Sequence, residues 1–129
     1  MTALAFERSP APRGPVVQGL SADGFRIDGR TYAAALLTPE GAAAWVDAPA
    51  LEALTPKHVE AVLAIEPQPE FLILGTGAAQ AFPPRAFVRA LEERGIGVEA
   101  MDSRAAARTW GMLRAEERWI VAALLPLEK

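Results

Sequence analysis

The chain contains no cysteine and a single histidine. The first absence excludes disulfides, thiolate metal sites and cysteine nucleophiles. The second leaves too few imidazoles for a zinc site and would force His58 into every serine-triad scheme. A Gly-x-Ser-x-Gly nucleophile elbow is missing as well. No apolar run approaches the roughly 20 residues of a membrane-spanning helix; the longest, Trp119 to Leu125, suits a buried strand. Met1 to Pro15 holds Glu7, Arg8, Arg13 and three prolines and has no signal-peptide-like apolar stretch. There is no basic excess either: the net charge is −3, the wrong sign for a nucleic-acid footprint. These gaps lead to the expectation of a cytoplasmic protein without membrane insertion, nucleic-acid binding, metal or cofactor.

What is present describes an ordinary globular domain. The 129 residues are 51% hydrophobic and 22% charged, and alanine supplies 27 of them. That length fits one domain, since domains cluster near about 100–150 residues. Residues 1–15 read as an extended or flexible arm, because Pro10, Pro12 and Pro15 cannot feed a regular ladder. Residues 16–129 read as a single α/β domain, with an antiparallel β part over 16–48 and a βαβαβ-like part over 55–129.

In the first part, Val16 to Leu20 is short and apolar, and Phe25 to Ile27 leads into the hairpin signal Asp28-Gly29. Thr31 to Thr38 is expected to return as one strand, Pro39-Glu40-Gly41 to turn, and Ala44 to Val46 to form a further short strand. In the second part, Thr55-Pro56 marks a helix start that ends by Glu66-Pro67-Gln68-Pro69. Phe71 to Leu74 is a continuous apolar run, as in a strand covered on both faces. A helix is expected from Pro83-Pro84 to Arg94 with Gly95 as its C-terminal cap, then a strand from Ile96 to Met101. Asp102 or Ser103 caps a third helix carrying Ala106, Trp110 and Leu113 on one face, and Trp119 to Leu125 is the last strand. Alternation at this spacing implies parallel or mixed pairing with helices packed on the sheet.

Two clusters are candidates for chemistry. Gly75-Thr76-Gly77, with Gln80, Phe82 and Pro83, lies just past a buried strand and before a helix, where open α/β sheets place ligand crevices. Glycines admit a ligand to the backbone, Thr76 and Gln80 offer polar contacts, and the following helix start with Arg85 and Arg89 favours an anion. Gln80 stands where a dinucleotide fingerprint needs glycine, and no lysine is near to make a phosphate loop. The competing account is a tight turn with Gln80 bonded to neighbouring backbone. The second cluster is Asp102, Arg104, Arg108 and Thr109, at the end of the next strand and so beside the first loop. The two arginines, four apart, share a helical face and suit a carboxylate or phosphate; alternatively Asp102 caps the helix and Arg108 pairs with an acid. His58, the adjacent pairs Glu92-Glu93 and Glu116-Glu117, and Trp45, Trp110 and Trp119 specify no reaction, so no catalytic residue is assigned.

The segments Phe71-Leu-Ile-Leu-Gly-Thr-Gly-x-x-Gln-x-Phe-Pro-Pro and Leu91-x-x-Arg-Gly-Ile-Gly-Val-Glu-x-Met-Asp-x-x-x-Ala-x-Arg-Thr closely resemble a family of small proteins of unknown function. It includes the mitochondrial complex I assembly factor and the adipogenesis-associated Mth-domain protein. The resemblance implies a three-layer α/β fold: a mixed central β-sheet flanked by helices, with a small antiparallel sheet alongside. It implies no established reaction and no cofactor. The motif positions carried over are Gly75, Thr76, Gly77, Gln80, Phe82, Pro83, Asp102, Arg108 and Thr109. Ala107 stands where many relatives have a cysteine, and Trp110-Gly111 where they often have Tyr-Asn.

Two functions follow as expectations. One is a non-catalytic interaction or assembly factor, serving a membrane respiratory complex through a protein partner, with exposed aromatics such as Trp45 in its interface. The other is a domain, or modest enzyme, taking a small anionic ligand in the crevice beside Gly77 and Asp102. Edge strands of the sheet offer a route to a homodimer.

Overall fold

A computed structural model describes residues 5–127. The first strands are β1 (Glu7–Arg8), β2 (Val17–Ser21), β3 (Gly24–Ile27), β4 (Arg30–Tyr32), β5 (Ala35–Thr38) and β6 (Gly41–Ala44). After two short 3-10 turns come α1 (Glu60–Leu63), β7 (Phe71–Gly75), α2 (Arg85–Glu93), β8 (Gly97–Met101), α3 (Ser103–Ala115) and β9 (Val121–Leu124). One six-stranded mixed sheet has the order β1-β6-β5-β9-β7-β8, and β2-β3-β4 form a separate antiparallel sheet. β7 runs parallel to both β8 and β9, while β5 pairs antiparallel with β9.

The alternation of side chains assigns the two faces. Leu36, Leu72, Leu74, Val121 and Ala123 point into one core with Val62, Leu63, Phe87 and Leu91 from α1 and α2. Their chain neighbours Leu37, Ile73, Ala122 and Leu124 point into a second core with Ala106 and Trp110 of α3 and Phe25, Ile27 and Tyr32 of the small sheet. This is why β5, β7 and β9 lack polar alternation: both of their faces are covered. Alanines 35, 42, 106, 107 and 122 line the second core, so the excess of small side chains lets α3 lie close to the sheet.

Several sequence expectations change in detail. Thr31 to Thr38 is not one strand but β4 and β5, which belong to different sheets. Gly24 makes the close approach here, since a Cβ on it would sit 2.1 Å from the Tyr32 carbonyl oxygen. The strand expected over Ala44 to Val46 lies earlier, at Gly41–Ala44, because Pro39-Glu40 alone forms the turn and Thr38 Oγ1 accepts from the Gly41 N–H at 3.1 Å. Glu7–Arg8, within the expected arm, pairs with Gly41 and Ala42; the three prolines follow this strand and so do not interrupt it. The part of the expected arm over residues 1–4 lies outside the described residues.

The Asp28-Gly29 hairpin forms with positive φ at both residues, as a two-residue primed turn requires. The Thr55-Pro56 start opens a 3-10 turn, Pro56–Val59, that passes into α1, and the expected long helix is only these two pieces. His58 sits inside this turn, its Nδ1 accepting from the Thr55 N–H at 3.0 Å.

Candidate functional site

The strand β7 ends at Gly75, and the loop to α2 turns over the start of α3. Thr76 N–H donates to the Met101 carbonyl at 2.8 Å, and Ser103 N–H to the Gly77 carbonyl at 2.8 Å. The two sequence clusters therefore meet at Gly75–Gly77 and Asp102–Ser103, the side-by-side arrangement that two neighbouring strand ends dictate.

The polar groups there are engaged within the chain. Thr76 Oγ1 lies 2.7 Å from the Ala79 carbonyl and accepts from the Ala81 N–H at 3.2 Å, which closes the loop. Asp102 Oδ1 accepts from the Ala105 N–H at 2.9 Å, so Asp102 is the N-cap of α3. Ser103, fully buried, accepts from the Gly77 N–H at 2.9 Å and donates to the Leu125 carbonyl at 2.8 Å. Both glycines have structural causes. A Cβ on Gly75 would stand 2.6 Å from Ser103 Oγ and 3.0 Å from its Cα, and Gly77 has a φ of +109°.

The remaining candidates face outward or sideways. Gln80 is exposed, with Nε2 at 3.5 Å from the Ala81 carbonyl, the outer limit of a hydrogen bond. Arg108 is exposed and makes no ion pair among the described residues, and Thr109 is half-buried. Ala107 is buried in the second core, away from solvent. Ser103 is the residue that sequence reasoning undervalued: considered only as an alternative cap, it is the side chain that ties both strand-end loops to the chain beyond β9.

Phe82 and Pro83 belong to a different surface. Phe82 is 86% exposed, and with Pro83, Arg85, Val88, Arg89 and Glu92 it lines an open groove of about 380 Å³ along the outer face of α2. Arg85, Arg89 and Glu92 recur at helical spacing, so they share the solvent side while Phe87 and Leu91 go to the core. Trp45, expected as an exposed interface aromatic, is instead 2% exposed: its ring packs in the first core and Nε1 donates to the His58 carbonyl at 3.0 Å. The exposed aromatic is Phe82. Among the described residues, no three His, Asp or Glu side chains gather as metal ligands, and no helix is long and apolar enough to cross a membrane.

Comparison with known proteins bears on this arrangement. The family described as protein of unknown function (DUF498/DUF598) matches residues 17–125. The chain belongs to the DUF498/DUF598 family. An uncharacterized protein of Rhodobacter capsulatus is 36% identical to this DUF498 chain over 124 residues, covering 91% of it and 94% of the relative. The zebrafish (Danio rerio) protein named NADH dehydrogenase [ubiquinone] 1 alpha subcomplex assembly factor 3 is 30% identical over 126 residues, covering 97% and 72%. The solution structure of a Bordetella pertussis protein, described as an Mth938-like domain, superposes with a TM-score of 0.77 at 31% identity, covering 100% of this chain and 94% of that one. The mixed six-stranded sheet with its three-stranded companion is thus the fold of this family.

Proposed function

We propose that this DUF498 chain is a non-catalytic interaction protein that aids assembly of a membrane respiratory complex, docking on an unassembled subunit through the face around Phe82. The observation that carries this reading is Phe82 itself: an aromatic ring 86% exposed, beside a groove whose rim holds two guanidinium groups. Aromatic and arginine side chains dominate binding energy where proteins meet, whereas a phenylalanine left in water gains nothing for the fold. The partner segment that matches it carries an apolar side chain for Phe82 and Val88 and carboxylates for Arg85 and Arg89. The name of the zebrafish relative supplies the kind of process, and the internal engagement of Thr76, Asp102 and Ser103 favours docking over chemistry at the neighbouring loop.

The test is complementation. Cells lacking the protein are expected to accumulate less mature NADH:ubiquinone oxidoreductase on native gels. Wild type should restore it, while Phe82→Ala and Arg85→Glu/Arg89→Glu should not, although both variants fold. Normal assembly of the complex without the protein would overturn the proposal.

A further inference from the structure

The end of the main sheet opposite Gly75–Gly77 holds a buried cation that forms no ion pair among the described residues. Arg114, in the last turn of α3, is 8% exposed. Its Nη1 donates to the Arg118 carbonyl and its Nη2 to the Arg13 carbonyl at 3.0 Å, while its Nε–H is buried without a partner. The ion pairs among the described residues join Arg13 to Glu117, Arg30 to Glu7, Arg94 to Glu60 and Arg118 to Glu70; none includes Arg114 or Arg8. Among the described residues, the guanidinium thus hydrogen-bonds to carbonyl oxygens and to no carboxylate. Burial pushes its pKa below the ordinary arginine value, with Glu117 opposing that shift and Arg13 reinforcing it.

Buried charges in proteins are normally paired, and an arginine fork matches carboxylate and phosphate oxygens. Arg114 also lines a cavity of about 270 Å³ together with Arg8, Ser9, Gly14, Glu40 and Trp119. Ser9 Oγ accepts from the Ala11 N–H, which leaves its own proton free to be donated. Three donors of the right kind therefore border one space: a buried guanidinium, an exposed one and a hydroxyl.

We propose that this cavity is a binding site for a small oxyanion, a carboxylate or phosphate group held between Arg114 and Arg8. The Ser9 hydroxyl is a further donor, and Trp119 forms part of the wall. Glu40 opposes the anion from the same cavity, which limits the site to one weakly charged oxyanion group. The site lies at the far end of α3 from Ser103 and stands independently of the docking face at Phe82.

Arginine Nε–H resonances in 15N correlation spectra test this on the full chain. Inorganic phosphate and acetate are titrated separately into the tens of millimolar, with ionic strength held constant by chloride. The expected result is a saturable shift of the Arg114 and Arg8 Nε–H signals with at least one of the two anions, and the tighter one identifies the group. Arg8→Gln, an exposed position that leaves the fold intact, should weaken binding about tenfold, as loss of one charge-assisted bond does. Glu40→Gln should tighten it several-fold, an effect that a purely structural Arg114 would not produce. Shifts that stay linear and match chloride, or saturable shifts that neither variant alters, would overturn the proposal.

Discussion

Ser103→Ala is the most informative substitution in the chain. The hydroxyl makes two buried hydrogen bonds, from the Gly77 N–H at 2.9 Å and to the Leu125 carbonyl at 2.8 Å. Alanine fits the space but strands one donor and one acceptor inside the protein. Each stranded group costs about 1–3 kcal/mol, so the expected destabilisation is about 2–6 kcal/mol. At this chain length that corresponds to a fall in Tm of roughly 7–22 °C. Urea denaturation should show a lower midpoint with an unchanged slope, since the surface exposed on unfolding is the same. Gly75→Ala is expected to be destabilising as well, because its Cβ would meet Ser103 Oγ at 2.6 Å. The double variant should lose less than the sum, as removing Oγ relieves that contact. A loss below about 0.5 kcal/mol for Ser103→Ala would refute the reasoning, since the loop would then be held without the hydroxyl.

Other substitutions probe the remaining contacts. Asp102→Ala should cost about 1 kcal/mol through loss of the α3 cap, and Asp102→Asn should restore most of it, both read by thermal unfolding. Trp110→Phe removes the bond from Nε1 to the Pro15 carbonyl at 2.8 Å and should destabilise by about 1–3 kcal/mol, with faster proteolysis ahead of residue 16. Arg94, hydrogen-bonded to Glu60 at 2.9 Å, holds the Glu60 carboxyl below the usual glutamate range. A depressed folded pKa contributes stability above the unfolded value and loses it as pH falls through the folded one. Arg94→Gln should therefore flatten the acid limb of the stability profile, by under about 1 kcal/mol because the pair is solvent-exposed. Phe82→Ala should leave Tm within experimental error, since the ring is in water.

Where the physical cause is local, the elements are legible from residue order. The Asp28-Gly29 turn needs only two residues able to take positive φ, and the Asp102 cap only a carboxylate three residues before a free N–H. The loops after β7 and β8 lie side by side as residue order implies, because a βαβ connection puts consecutive strand ends together. The burial of Trp45 is not legible in this way, because an indole reads the same in a core and in an interface and the His58 carbonyl that accepts from it lies 13 residues away. Arg114 gave no sequence signal at all, since an arginine in the last helical turn ordinarily lies in solvent beside the helix carbonyls.

The sequence by itself determined the alternation of helices and strands after residue 55, the Asp28-Gly29 turn, the Asp102 cap and membership of the DUF498/DUF598 family. Each depends on spacings of a few residues or on motifs read in a line. Only the tertiary structure decided that β5 leaves the small sheet for the large one, that Ser103 occupies the space beside Gly75, and that Phe82 rather than Trp45 faces water. It also decided that Arg114 is enclosed with no ion pair among the described residues. These outcomes rest on contacts between residues far apart in the chain, up to the 101 residues separating Arg13 from Arg114. Such partners are selected by the packing of whole layers, which no local pattern encodes.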